Sequence, residues 1–198
     1  MKNINLAIVF FLMSFMSQAQ IVKLSGPRIG GTVVTAGSAS DFIQNGIRPG
    51  DDGWNNSTAA FISQYGWQLE SRFADGEDMV GLIEWVFLVG GMERGLFLPS
   101  ISSLCGMRSS SGFEAALGPN LSLTGIGMVV ALGITIKTPN LNVPVNISFV
   151  PGKSNTYETN EDYVWDNETG TYISVPGSST DYLTGSRISL TVGFNLVN

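Results

Sequence analysis

The chain has 198 residues, with ten Lys or Arg, sixteen Asp or Glu, no His and a net charge of −6. Charged residues make up only 13%, where an ordinary soluble domain carries about 25%. The missing histidine excludes Ser-His-Asp and Cys-His nucleophile systems and the commonest zinc ligand, the lone Cys105 excludes an internal disulfide, and the acidic balance speaks against nucleic acid.

The first element is an address. Lys2 precedes an apolar stretch from Ala7 to Met16, and Ser17-Gln-Ala19 places small residues at the −3 and −1 positions of signal-peptidase cleavage. This pattern predicts a signal peptide over 1–19 and an exported domain over 20–198. Ten helical residues span about 15 Å, half of a bilayer core, so the segment is too short for a membrane anchor. No cysteine near the cleavage site marks a lipoprotein.

Beyond it the chain alternates with a period of two, the signature of strands with one apolar face. Arg28–Thr35 is the weakest, with Ile29 and Val33 against Arg28, Gly30 and Thr32. A turn-rich loop of about 24 residues follows over 36–59, including Arg48-Pro-Gly-Asp-Asp-Gly-Trp54. From Phe61 to Phe73, odd positions carry Phe61, Tyr65, Trp67 and Leu69, while even ones carry Gln64, Gln68, Glu70 and Arg72. Met79–Gly90 opposes Ile83, Trp85 and Phe87 to Glu84, and Leu96–Arg108 opposes Phe97, Ile101, Cys105 and Met107 to Ser100, Ser102, Gly106 and Arg108. Gly112–Gly118 sets Phe113 and Leu117 against Glu114, with Pro119–Thr124 read as the next join. Gly125–Lys137 and Leu141–Val150 are the cleanest alternations. The acidic segment Lys153–Gly185 holds Tyr163-Val-Trp165 and Thr171-Tyr-Ile173 around Asp166-Asn-Glu-Thr-Gly170, which predicts a hairpin within a long loop over 151–185. A last strand runs from Arg187 to Leu196.

Eight strands with alternating joins form an up-and-down meander in which both long loops leave the same end. Short turns at one end and long loops at the other are the pattern of outer-membrane barrels. The expected fold is therefore all-β: an eight-stranded antiparallel up-and-down transmembrane β-barrel with two long external loops. Alternation alone does not say which face is outside. The rival is a soluble secreted lipocalin-like binder, apolar within. It would have to pack Trp67, Trp85 and at least seven phenylalanines inside a narrow barrel, beneath a surface of Gly, Ser, Asn and Thr with few charges. The membrane orientation places Arg28, Glu70, Arg72, Glu84, Arg108, Glu114, Lys137 and Arg187 inside as an ionic network, with backbone carbonyls or water serving the surplus cations. Pro99, Pro119 and Pro144 each remove a ladder hydrogen bond and leave the local register open, at Pro99 and Pro144 above all.

Several segments carry a further signal. Ser25-Gly-Pro-Arg-Ile-Gly30, Gly112-Phe-Glu-Ala-Ala-Leu-Gly-Pro-Asn120, Pro144-Val-Asn-Ile-Ser-Phe-Val-Pro151 and Gly185-Ser-Arg-Ile-Ser-Leu-Thr-Val-Gly-Phe194 resemble small, uncharacterised outer-membrane β-barrel proteins of the Bacteroidota. The resemblance implies a Gram-negative outer membrane, contact with its lipid, and recognition by the barrel-assembly machinery. The chain departs from the wider class by ending Leu196-Val-Asn198 where an aromatic residue is commoner, with Phe194 standing in that role.

No catalytic residue, cofactor or metal ligand set emerges. The acids of the last loop lack the regular spacing of a calcium site, and no serine sits in a nucleophile motif. The expected function is a non-enzymatic envelope barrel with a filled, ion-paired interior, displaying loops for an envelope or extracellular protein partner or for envelope integrity. Tyr157, Tyr163, Trp165, Tyr172 and Tyr182 form the expected contact surface. The alternative is a narrow channel or carrier for a small or apolar solute; a lipid-modifying or proteolytic enzyme is a distant third.

Overall fold

The computed structural model describes residues 23–54 and 58–196; the signal peptide expected over 1–19 and the extreme C-terminus lie outside them. Seven strands follow one another around a sheet: β1 (Gly26–Val34), β2 (Ala60–Asp75), β3 (Met79–Gly90), β4 (Leu98–Ser109), β5 (Phe113–Ser122), β6 (Gly125–Lys137) and β7 (Leu141–Val150). Four short strands of the last loop, β8 (Ser154–Glu158), β9 (Asp162–Asp166), β10 (Thr171–Val175) and β11 (Ser179–Leu183), lie apart from it. β12 (Arg187–Gly193) pairs with both β7 and β1, which closes an eight-stranded antiparallel up-and-down barrel; β13 (Asn195–Leu196) prolongs it against β7. Closure leaves no free edge, so every stave has a neighbour on both sides.

Alternation sets the two faces. Outside stand Phe61 at 57% exposure, Trp67 at 50%, Trp85 at 45% and Leu132 at 47%; inside stand Glu70 and Glu84 at 2% and Arg108 at 1%. This is the reverse of a lipocalin, whose apolar side chains line the interior. Small apolar clusters remain inside, one on the wall made by Leu104, Ala116, Val129, Ala131 and Val150, another formed by Val34, Ala60 and Ile62 beneath a helix.

Register is continuous through Pro99 (Val89↔Pro99) and Pro144 (Thr135↔Pro144). β5 runs on to Ser122, so Pro119 and Asn120 belong to the strand and the join to β6 shrinks to Leu123–Thr124. The lost N–H of Pro119 falls at a gap in the β4–β5 ladder, between Ser102↔Asn120 and Cys105↔Leu117. At that gap Gly118 lies so close to β4 that a Cβ would sit 1.9 Å from the Ser103 carbonyl oxygen. Gly66 is tighter still, at 1.8 Å from the Phe87 carbonyl oxygen. These two glycines serve backbone approach; room for polar side chains comes from others, such as Gly133 beside Asn146 and Gly193 beside Arg28. β2 also shifts register between Arg72 and Ala74, a bulge at its turn end.

The first long loop holds an element the sequence pattern did not reveal, α1 (Ser38–Asn45), capped at its end by Gly46 in the left-handed region. Ile43 packs with Val34, Ala60 and Ile62, so the helix lies over the barrel mouth. The last loop is a two-storey ribbon in which β8 pairs with β11 and β9 with β10. The outer storey is the hairpin expected around Asp166–Gly170.

Candidate functional site

The turn-end half of the lumen is built around Arg108 on β4. β4 pairs with β5 so that Arg108 lies opposite Glu114, and β2 pairs with β3 so that Glu70 lies opposite Glu84. Two carboxylates facing each other inside a barrel require a cation between them. Arg108 supplies it: Nη1 donates to Glu70 at 3.0 Å, Nη2 reaches Glu84 at 3.3 Å, and Nε donates to Glu114 at 2.8 Å.

Neutral amides extend the cluster. Gln68 Nε2 donates to Glu84 at 2.6 Å, and Asn146 Nδ2 donates to Glu114 at 2.9 Å. Arg28 Nη1 in turn donates to Asn146 Oδ1 at 3.0 Å and to the Pro144 carbonyl at 3.2 Å. The resulting belt ties β1, β2, β3, β4, β5 and β7 across the lumen. All its charged members are nearly inaccessible.

Five of the eight expected inward charges thus come together: Arg28, Glu70, Glu84, Arg108 and Glu114. The other three do not join them. Arg72 sits at the turn end beside Asp75, 3.7 Å away. Lys137 is exposed at the same end and donates to the Ser110 carbonyl at 2.6 Å. Arg187 lies in the opposite half, donating to Ser122 at 2.7 Å and Asn120 at 3.0 Å.

The loop-end half is open. A cavity of about 490 Å³ lies there, and no member of the ionic belt lines it. Its floor is marked by Thr32, whose hydroxyl donates to Gln64 Oε1 at 2.6 Å. Its walls mix Val34, Ile62, Leu98, Val129 and Val150 with hydroxyls such as Ser100, Ser148 and Ser189. Phe42 and Ile43 of α1, Arg48, and Tyr182 of the last loop form its rim. The interior is therefore filled at one end and hollow at the other. The sequence held a signal for this: inward residues shrink toward the loop end, from Arg108 to Ser102 and Ser100 on β4, and from Asn146 to Ser148 on β7. Gln68 and Asn146 were legible only as inward amides, without a role, and Asn120 only as part of a join.

The five loop aromatics separate into two groups. Tyr163, Trp165 and Tyr172 are exposed on the outer hairpin, where Trp165 and Tyr172 meet edge to face at 5.1 Å. Tyr157 and Tyr182 instead flank Trp54 of the first loop, at 6.0 and 5.5 Å, and so tie the two long loops together. Among the described residues, no three His, Cys, Asp or Glu side chains are grouped to hold a metal ion. The chain matches no family model, and no curated protein or solved structure shows significant similarity to it.

Proposed function

We propose that this protein is a non-enzymatic outer-membrane barrel, exported by its signal peptide, with its turn end sealed and its loops and cavity facing outward. The observation that carries this reading is the inverted polarity of the barrel: bulky apolar side chains cover the outside while the ions sit within. In water that arrangement would expose a continuous apolar girdle, far beyond the patches that soluble monomers tolerate. In a bilayer the same girdle meets acyl chains. Staves of about ten residues tilted near 40° cross an apolar band of about 25 Å, which agrees with β5 and β7. Outward aromatics near both rims, Phe73, Phe113 and Phe194 at the turn end and Phe61, Phe97 and Phe149 at the loop end, suit the two interfaces. Lipid and the barrel-assembly machinery are then its first partners.

The belt around Arg108 argues against a conducting pore. The cavity favours a second role beside loop display, the holding of a small solute at the outer face.

Cys105 provides a native test, since it is exposed on the outward face between Ile83 and Leu117. In reconstituted vesicles a membrane-soluble maleimide should label it, while a bulky water-soluble maleimide should not. Rapid labelling by the water-soluble reagent, on protein that shifts its gel migration on boiling, would overturn the membrane reading.

A further inference from the structure

The loop-end cavity has a charge character that the rest of the chain lacks. The protein is acidic overall, with sixteen acids against ten bases. Yet among the described residues the cavity is lined by two arginines, Arg48 and Arg187, and by no Asp, Glu or Lys. Arg187 is half-buried in the wall on β12. Its guanidinium has five N–H donors, and among the described residues only two acceptors meet it, the Ser122 hydroxyl and the Asn120 side-chain oxygen, both neutral. No carboxylate among the described residues forms an ion pair with it. Asn120 is itself fixed, donating to Ser102 at 2.9 Å, so the guanidinium is held in place. Arg48 stands at the exposed rim, its guanidinium carbon 5.9 Å from the centre of the Phe42 ring.

A partly desolvated cation without a counter-ion is costly unless something anionic arrives to pair with it. The rest of the cavity says what that ligand must tolerate. Val34, Ile62, Leu98 and Val129 line the same cavity, an apolar lining that would lose free energy if left wet. A volume of about 490 Å³ falls within the range of small-molecule sites. The roof is made of α1 and the ends of the long loop, so entry is from the loop side.

We propose that this cavity binds a single-chain amphiphile with one anionic head group, carboxylate or phosphate. The head pairs with Arg187, Arg48 steers it at the mouth, and the tail lies along the apolar wall. This rests on the solute-holding role assigned to the cavity and on the barrel fold; membrane insertion is not required for it.

The test uses the refolded full-length barrel in amphipol, whose folded state is read independently from its heat-dependent gel migration. Calorimetry compares decanoate, decyl phosphate and decanol. The anions should bind one per barrel and at least tenfold more tightly than the alcohol; whichever anion binds better identifies the head-group chemistry. Arg187→Gln should erase that preference, bringing the anions down to the level of decanol. Ser148→Phe, which fills the cavity and keeps the charge, should weaken all three. Equal affinity of wild-type protein for decanoate and decanol, or no binding of either anion to protein that runs as a folded band, would overturn the proposal. The Cys105 labelling result stands apart from both.

Discussion

Arg108 is the cation on which Glu70, Glu84 and Glu114 converge, and all four side chains are almost wholly removed from solvent. Removing one partner of a buried ion pair strands the other, which costs about 3–5 kcal/mol. Arg108→Met should therefore lower barrel stability by about that amount, read as a fall in the urea midpoint of the folded gel band. Glu70→Gln keeps a hydrogen-bond acceptor facing Arg108 and leaves two carboxylates, so it should cost less. If the two substitutions cost the same, the cluster is not organised around the arginine. Gly66 makes a second prediction at this scale. A methyl group there would lie 1.8 Å from the Phe87 carbonyl oxygen, a backbone atom that can yield only if the strands part. Gly66→Ala should destabilise the barrel by about 3 kcal/mol or more, at the upper end of overpacking costs, whereas Gly53→Ala, with no atom near its Cβ, should cost only the roughly 1–2 kcal/mol of a left-handed backbone at φ 82°.

The outer hairpin is the element most independent of the barrel. β9 and β10 pair only with each other and are joined by a turn closed by Asp166. The Thr169 hydroxyl donates to Asp166 at 2.6 Å and the Glu168 N–H at 3.0 Å, and these bonds hold the carboxyl below its ordinary value of 3.8. A depressed carboxylate contributes stability that is present in full above the unfolded value and lost as pH falls through the folded one. The turn should stay closed from neutral pH down to the ordinary aspartate value and loosen only below it. The backbone amide signal of Gly170, bonded to the Asp166 carbonyl at 2.9 Å, would report this. Thr169→Val should move the transition upward. Elements also show where sequence reading stops. An eight-residue helix is marginal alone, so α1 exists because Ile43 has Val34 and Ile62 to cover. Pro119 reads as a breaker, yet the strand passes through it because the β6 side keeps its ladder, from Leu117↔Val130 to Leu121↔Ile126.

At the scale of the whole molecule, the belt and the cavity divide the lumen into a closed half and an open half. Because hydrogen bonds and ion pairs tie six staves together across the closed half, planar bilayers containing the protein should show no discrete conductance at high salt. Steady single-channel steps would mean that the belt opens. Period-two alternation, eight repeats of it and the parity of the long joins determined the barrel and its loop end, since those depend on local backbone geometry and chain order. Composition alone was enough to set Trp85 outward and Glu84 inward, because nine bulky aromatics do not fit inside eight strands. The partners of each inward charge were decided only by tertiary structure. Arg28, Glu70, Glu84, Arg108 and Glu114 meet while Arg72, Lys137 and Arg187 do not, because register and height along the barrel axis, neither of them local, determine which side chains share a layer. The cavity was legible only strand by strand, as inward residues that shorten toward the loop end; register and height decided that they are short at one level and so leave a common space.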